Sequence, residues 1–175
     1  SGSITLGTAV KFVSDGGVVG KTNNPLTVLS NLTNSGQIKS TKGVRYLYMG
    51  GVIGHCSVYT ISDLRNESVG ALYVTCIESN KNTTMDLGGV IGKIDNSKAG
   101  TIDGTSDYNI VNRARVDFSD TTRIEYAYLS AGGVIGRLEA PATVKYIKNE
   151  AELVKFGAHN ADDGDKDLTT YCGGI

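Results

Sequence analysis

One glycine phrase recurs along the chain at nearly regular intervals. Its four complete copies begin at Gly16, Gly50, Gly88 and Gly132, each reads Gly-Gly-Val-aliphatic-Gly, and a fifth copy begins at Gly173. The first glycines are 34, 38, 44 and 41 residues apart. A period of this length is typical of repeat architectures, in which each repeat packs mainly against its neighbours. The phrase therefore predicts a stack of similar units rather than a conventional globular core.

The residues around the phrase alternate between apolar and other side chains. The apolar positions before and after the paired glycines are Leu47, Met49 and Ile53; Met85, Leu87 and Ile91; Leu129, Ala131 and Ile135. A period of two predicts a β-strand with one apolar face. The opposite parity carries Tyr48, Asp86 and Ser130, followed by glycine and valine. That mixture predicts a surface or a lightly covered face.

A second phrase lies between the glycine phrases. It places an aliphatic residue, an asparagine and a small residue at every second position, and its asparagines are Asn34, Asn66, Asn112 and Asn149. These residues share one strand face, so the amides would point inward, where an isolated amide costs on the order of a few kcal/mol. Amides stacked above one another can hydrogen-bond along the axis and to the backbone of a turn. We therefore predict an asparagine ladder.

The two phrases together predict an all-β, right-handed parallel β-helix or β-solenoid with little helix. The glycines expected to define its repeats are Gly50, Gly51, Gly88, Gly89, Gly132 and Gly133. We expect one repeat domain over 1–175, with two strand-bearing segments in each repeat. Its parts are a capping half-repeat 1–15, repeats 16–49, 50–87, 88–131 and 132–172, and the start of a further repeat at 173–175. Asp15, at a position that is apolar in later copies, is typical of an end cap. The stop inside a phrase indicates a piece of a larger protein.

A kelch-like β-propeller is the alternative fold. Hydrophobic residues followed by Gly-Gly, as in Tyr46-Leu47-Tyr48-Met49-Gly50-Gly51, also mark that repeat. The chain has no tryptophan, its copies are shorter than the roughly 50 residues of a kelch repeat, and four blades is the lower limit for a propeller. We therefore favour the solenoid.

The alternation of the two phrases resembles the GLUG-motif family, which is named for its Gly-Gly-aliphatic-aliphatic-Gly phrase. The resemblance covers nearly the whole chain, from Gly16 to Gly174. It implies a repeat module of a bacterial cell-surface or secreted protein, such as an adhesin or the non-catalytic region of a secreted peptidase. The family has no catalytic residues to transfer, so the resemblance also implies that this chain is not an enzyme.

Composition excludes two classes of partner. Seventeen basic residues against 18 acidic ones give a net charge of −1, and no basic cluster is present to bind nucleic acid or a membrane surface. No apolar run approaches the roughly 20 residues that a bilayer requires, so we expect no membrane insertion by this chain. Cys56, Cys76 and Cys172 show no CxxC spacing and are interpreted as structural thiols, with a Cys56–Cys76 disulfide as the alternative.

Few residues indicate metal or nucleotide chemistry. Asp163, Asp165 and Asp167 offer carboxylates in one turn, which Ca²⁺ prefers, although a solvated loop explains them as well. We expect no other cofactor. His55 and His159 are interpreted as surface histidines. Gly20-Lys21-Thr22 and Gly92-Lys93 lack the earlier glycine and the following helix of a phosphate-binding loop.

The most specific binding hypothesis concerns tyrosines that lie close before the glycine phrases. They are Tyr46, Tyr48, Tyr126, Tyr128 and Tyr171. Tyrosines on neighbouring layers could form an aromatic strip that stacks against sugar rings or docks a host protein. Alternatively, they only stabilise adjacent strands. We thus expect a non-catalytic, structural or adhesin-like surface module that binds a glycan or a host protein. The alternative is a carbohydrate-active β-helix, such as a lyase or hydrolase, but the acidic residues are scattered rather than paired.

Overall fold

The structure is a computed structural model of the chain. It describes residues 3–6, 12–24, 28–40, 45–57, 60–67, 71–74, 83–95, 100–105, 107–117, 127–139, 141–154 and 168–174. Every regular element among these residues is a β-strand. The described part of the chain holds no helix of the length and apolar character needed to cross a membrane.

The strands form five sheets, numbered here in the order in which the chain first enters them. The first contains Ser3–Leu6, Gln37–Ser40, Leu72–Val74, Val116–Asp117 and Leu153–Val154. The second contains Phe12–Gly16, Tyr46–Gly50, Thr83–Gly88, Ala127–Gly132 and Leu168–Gly173. The third contains Val19–Thr22, Ile53–Cys56, Ile91–Ile94 and Ile135–Leu138. The fourth contains Val28–Leu29, Thr60–Ile61, Gly100–Asp103 and Ala142–Lys145. The fifth contains Leu32–Asn34, Leu64–Asn66, Ile110–Asn112 and Ile147–Asn149.

All five sheets are parallel and follow the order of the sequence. The chain visits the sheets in turn and then returns to the first, one layer further along, so each circuit adds one coil to a β-solenoid. Gly16, Gly50, Gly88, Gly132 and Gly173 pair in register in the second sheet. The predicted parallel β-solenoid is thereby confirmed. The propeller alternative is wrong, because each sheet is assembled from different coils rather than from consecutive strands of one blade.

A complete coil supplies five strands, not the two segments that the phrases indicated. The glycine phrase itself spans two strands: Tyr46–Gly50 ends in the second sheet and Ile53–Cys56 begins the third, with a bend between them. Because the backbone turns there, Val52 and Ile53 both reach the interior, although their parity differs. The fourth-sheet strands were missed because they are only two to four residues long.

The interior contains two apolar clusters. One lies between the first and second sheets and contains the predicted apolar face, including Leu47, Met49, Met85 and Leu87. The other is enclosed by the third, fourth and fifth sheets and contains Ile53, Ile91 and Ile135. The opposite face of the phrase was expected to be a surface or a lightly covered face; it is fully covered at Asp86, which has no exposed area, while Tyr48 is half-buried. The reason is the bend, which brings the third sheet back over that face.

The predicted asparagine ladder runs beside the glycine phrases. Nδ2 of Asn34 donates to Oδ1 of Asn66 at 3.0 Å, Asn66 donates to Asn112 at 3.2 Å, and Asn112 donates to Asn149 at 3.0 Å. Backbone groups complete the set; for example, Nδ2 of Asn66 also donates to the Gly89 carbonyl at 2.7 Å. The four amides therefore have the partners that burial requires.

Two glycine columns are required by close contact rather than by unusual backbone angles. A Cβ added at Gly51 would lie 2.1 Å from Nδ2 of Asn66, so the ladder needs glycine beside it. A Cβ added at Gly92 would lie 2.6 Å from the Met49 backbone nitrogen, so the third sheet approaches the second more closely than any side chain allows. The spacing of the phrase thus sets the contact between these two sheets.

Candidate functional site

A column of basic side chains runs along the third sheet. Lys21, His55, Lys93 and Arg137 pair in register, one from each coil. Each follows the third glycine of its phrase directly, so the complete motif is Gly-Gly-Val-aliphatic-Gly-basic in all four copies. From the sequence, Lys21 and Lys93 were weighed only as parts of phosphate-binding loops and His55 only as a surface histidine, so the basic residue shared by all four copies was missed.

The facing wall is the outer side of the second sheet. Its two columns, read along the axis, are Phe12, Tyr46, Thr84, Tyr128 and Thr169, then Ser14, Tyr48, Asp86, Ser130 and Tyr171. Side chains from the two walls meet across the space between them. The Tyr48 and His55 rings lie edge to face with centroids 5.0 Å apart, and Nζ of Lys93 lies 5.0 Å from the Tyr48 centroid. We call the space between the basic column and these two columns the axial groove.

Ion pairs connect successive coils along the basic wall. Nζ of Lys93 lies 2.9 Å from Oε2 of Glu139 and 3.9 Å from Oδ2 of Asp95. Nε2 of His55 lies 2.8 Å from Oδ1 of Asp95. Arg137 pairs with Glu139 and lies 3.9 Å from the carboxylate of Asp86. Each of these bases therefore has an acidic neighbour, two of them in the next coil.

Two titratable groups at the base of the groove are buried. Burial raises the pKa of Asp86 to about 6, while the charges of Arg137 and Lys93 and the nearby Ser130 hydroxyl oppose that rise. Neither Asp86 oxygen makes a hydrogen bond of good geometry within the described chain. Burial also lowers the pKa of His55, although Asp95 opposes it. His55 is only 5% exposed, so its interpretation as a surface histidine is wrong.

Beyond Ile135–Leu138 the structure describes no further strand of the third sheet, so Leu168–Gly173 of the second sheet is uncovered there. A cleft of about 450 Å³ is lined there by Tyr128, Ser130, Gly136, Arg137, Leu138 and Tyr171. The Tyr128 and Tyr171 side chains are 55% and 64% exposed, and they come from adjacent coils. This end presents two aromatic rings and a guanidinium group to solvent.

Four of the five predicted tyrosines lie on this one face of the second sheet. Tyr46 stacks on Phe12, with ring centroids 4.5 Å apart and planes 8° apart. Tyr48 is half-buried against the basic column. The strip is not continuous, because Thr84 and Asp86 occupy the third coil between the aromatic rings. Tyr126 lies outside the described residues.

The metal, phosphate-binding and cysteine candidates named from the sequence form no further site among the described residues. Asp163, Asp165, Asp167 and His159 lie outside the described residues, and the part of the chain that the structure describes holds no cluster of three potential metal ligands. Lys21 and Lys93 lie within strands, not in loops before helices. Cys56 is a thiol buried in the second apolar cluster, and Cys172 is a thiol exposed on the last strand. Cys76 lies outside the described residues.

The polar side chains around His55 include a serine, a cysteine and an aspartate. His55 and Ser57 both contact Oδ1 of Asp95, the latter by a hydrogen bond of 2.7 Å. A serine nucleophile would need to donate to the imidazole instead. Cys56 follows His55 but belongs to the apolar cluster on the opposite side of the strand. Within the described residues, no nucleophile is thus held against its base.

Comparison with known proteins gives no relative: the chain matches no family model, no curated protein and no solved structure.

Proposed function

We propose that this chain is a non-catalytic, adhesin-like structural module of a bacterial cell-surface or secreted protein, of the GLUG-motif type. Its coils form a scaffold, and its axial groove is the face offered to an external glycan or protein. The observation that carries this proposal is the asparagine ladder, which runs through four successive coils with each amide hydrogen-bonded to the next. Repetition of this kind suits an extended scaffold.

The ion pairs that hold the basic side chains of the groove support a binding role over a catalytic one. Lys93 is held by Glu139 and Asp95, and Arg137 is held by Glu139. Because these side chains are fixed by one another, they form a rigid lining and are poorly placed to exchange protons with a substrate. The exposed rings of Tyr128 and Tyr171 supply contact area beside them.

The location is tested by labelling intact cells of the source bacterium with an antiserum against this chain, with and without external protease. We expect the antigen on the cell surface, where protease removes it, or in the culture medium. A cytosolic protein serves as the control for lysis. Antigen that stays inside intact cells together with that control would overturn the proposal.

The absence of catalysis is tested separately. The chain is incubated with neutral and acidic polysaccharides, and new reducing ends and unsaturated products are measured. We expect no product above the level of heat-denatured protein. Product that depends on folded protein would favour the carbohydrate-active alternative.

A further inference from the structure

We propose that Arg137 is the moving part of a pH-sensitive switch between the second and third sheets. When the Asp86 carboxyl is ionised, the Arg137 guanidinium moves onto it and joins the two sheets. When Asp86 is protonated, the guanidinium rests on Glu139, two residues further along the chain, which is the arrangement in the structure. The switch is a property of the scaffold and does not depend on the proposed role of the module.

The Arg137 guanidinium lies between two carboxylates. Its Nη2 contacts Oε1 of Glu139, while its Nη1 lies 3.9 Å from Oδ1 of Asp86. A hydrogen bond between Nη1 and Oδ1 needs a separation of roughly 3 Å, so a shift of about 1 Å would form it. The Arg137 side chain is 38% exposed, and exposed side chains change rotamer readily. The guanidinium therefore has two acceptors within reach and is held by only one of them.

Asp86 is a buried acid that lacks a hydrogen bond of good geometry to any described residue. It has no exposed area, and both of its oxygens are buried. A buried carboxylate without compensation is strongly unfavourable, whereas a protonated carboxyl is much less so. Burial accordingly raises the pKa of Asp86 to about 6. The observed geometry thus suits the protonated acid, and ionisation draws the nearest movable cation onto it.

The groups that face Asp86 come from both sheets. The neighbours in its own column are Tyr48 and Ser130, which carry no charge near pH 6. The charged neighbours come from the third sheet and the residue that follows it: Lys93, Arg137 and Glu139. Glu139 differs from Asp86 in that its side chain is 35% exposed, so water stabilises its ionised form. Asp86 is therefore the acid whose charge depends most on a protein partner.

Lys93 stays in place when Arg137 moves. Its Nζ lies 2.9 Å from Oε2 of Glu139, and the residue is only 9% exposed. Glu139 therefore keeps a cationic partner when Arg137 shifts to Asp86, and Lys93 keeps its carboxylate. Both bases are paired in either arrangement, so the movement leaves no buried charge uncompensated.

The test compares the chain at about pH 5 and about pH 8, on either side of the Asp86 titration. Crystal structures at the two pH values give the distance from Nη1 of Arg137 to Oδ1 of Asp86, which should fall from 3.9 Å to roughly 3 Å at the higher pH. In solution, the nitrogen-15 resonance of Arg137 Nε should shift with the same midpoint as the Asp86 carboxyl carbon, and the Nε proton should exchange with water more slowly at the higher pH. A merely structural Asp86 would titrate without moving Arg137.

Arg113 is the matched control in the same spectra. It also lies between two carboxylates, with Nε 2.8 Å from Oε2 of Glu150 and Nη1 3.1 Å from Oε1 of Glu67. Both of these glutamate side chains are partly exposed, at 34% and 32%. We therefore expect the Arg113 resonance to stay constant over the pH range in which that of Arg137 shifts.

Two variants separate the parts of the switch. Asp86→Asn keeps the shape of the side chain but cannot ionise, so the Arg137 resonance should stop titrating. Glu139→Gln removes the competing carboxylate and should lower the midpoint by about one pH unit. Because Glu139 is partly exposed, this second variant covers the case in which Asp86→Asn does not fold.

Three results would overturn the switch: the distance from Arg137 to Asp86 is the same at both pH values, the Arg137 resonance does not follow the Asp86 titration, or it titrates equally in Asp86→Asn. The module proposal is judged separately by the cell-labelling and product assays.

Discussion

The Nδ2 atom of Asn34 donates a hydrogen bond of 3.0 Å to Oδ1 of Asn66, although the two residues are 32 positions apart in the chain. The same bond recurs between the following asparagines. Because the donor and acceptor come from successive coils, the bond exists only if the coils are stacked in register. This contact relates the spacing of the sequence phrases directly to the architecture.

Asn66→Ala should strongly destabilise the chain. Asn66 has no exposed area, and its removal leaves Nδ2 of Asn34, Oδ1 of Asn112 and the Gly89 carbonyl without this partner. We expect the free energy of unfolding to fall by about 2–4 kcal/mol, as measured by urea denaturation. Asn109→Ala removes only an exposed contact to the Thr105 amide and should cost less than about 1 kcal/mol. Equal losses for the two variants would count against a buried ladder.

Gly92→Ala should be among the most damaging small substitutions. The new methyl group would lie 2.6 Å from the Met49 backbone nitrogen in the second sheet and 2.5 Å from the Gly54 carbonyl oxygen in the neighbouring strand of the third sheet. Relief of the clash would require the two sheets, or the two strands of the third sheet, to move apart. We expect a loss of about 3 kcal/mol or more, or failure to fold. A Cβ at Gly174 meets nothing within 4 Å, so Gly174→Ala should change stability by less than about 0.5 kcal/mol. Tolerance of Gly92→Ala would mean that the two sheets are not in close contact.

Much of the core could be predicted from the sequence, because its signal is a period of two. Leu47 and Met85 were placed inside from parity alone, and both are buried. The asparagine column was predictable because the same residue type recurs at the same place in each unit. The bend within the glycine phrase could not be predicted, because glycine has no side chain whose alternation would show that the backbone changes direction. For that reason Asp86 was assigned to a surface or a lightly covered face, and His55 to the surface.

Asp15 should make the folded chain less stable as pH rises, which is the opposite of the usual effect of a carboxyl group. It aligns with Met49, is 7% exposed, and burial raises its pKa to about 6 from 3.8. The folded state thus holds this proton more tightly than the unfolded state. The contribution of Asp15 to the free energy of unfolding is fully present at low pH. It falls by about 3 kcal/mol as pH rises from about 4 to about 6.

Asp15→Asn removes that titration with little change of shape. Relative to the unmodified chain, we expect the variant to gain about 3 kcal/mol of stability between about pH 4 and pH 7. Denaturation at several pH values measures the difference. Asp107→Asn, at an exposed turn, is the control for the loss of one carboxylate charge. A difference that is constant with pH would contradict the burial of a titrating carboxyl at position 15.

The carboxyl of Asp86 should titrate near pH 6 in a carbon-detected NMR experiment. Burial raises its pKa, and the Arg137 charge is the largest opposing influence. Arg137→Gln should therefore raise the pKa of Asp86 further. An unchanged or lower value would show that the third sheet does not carry its basic column over Asp86.

The groove shows where sequence reasoning reached its limit. Tyr128 and Tyr171 could be named as candidates, because both precede a glycine phrase. The proximity of these tyrosines to Arg137 could not be predicted, because it depends on the bend that folds the third sheet against the second. The pairing of Lys93 with Glu139 likewise joins two coils and becomes visible only once the register is known.

Disulfide cross-linking of cysteines introduced at exposed threonine positions tests the stacking of the coils most directly. Thr60, Thr101 and Thr143 occupy one exposed column of the fourth sheet, in successive coils. Neighbouring strands lie about 4.8 Å apart, within the Cα separations of roughly 4.4–6.8 Å that disulfides span, whereas two layers exceed that range. In a background with Cys56→Ala, Cys76→Ser and Cys172→Ser, the pair Thr60→Cys/Thr101→Cys should form an intramolecular disulfide, as identified by mass spectrometry. The pair Thr60→Cys/Thr143→Cys should not. A bond in the second pair, or its absence in the first, would contradict in-register coils.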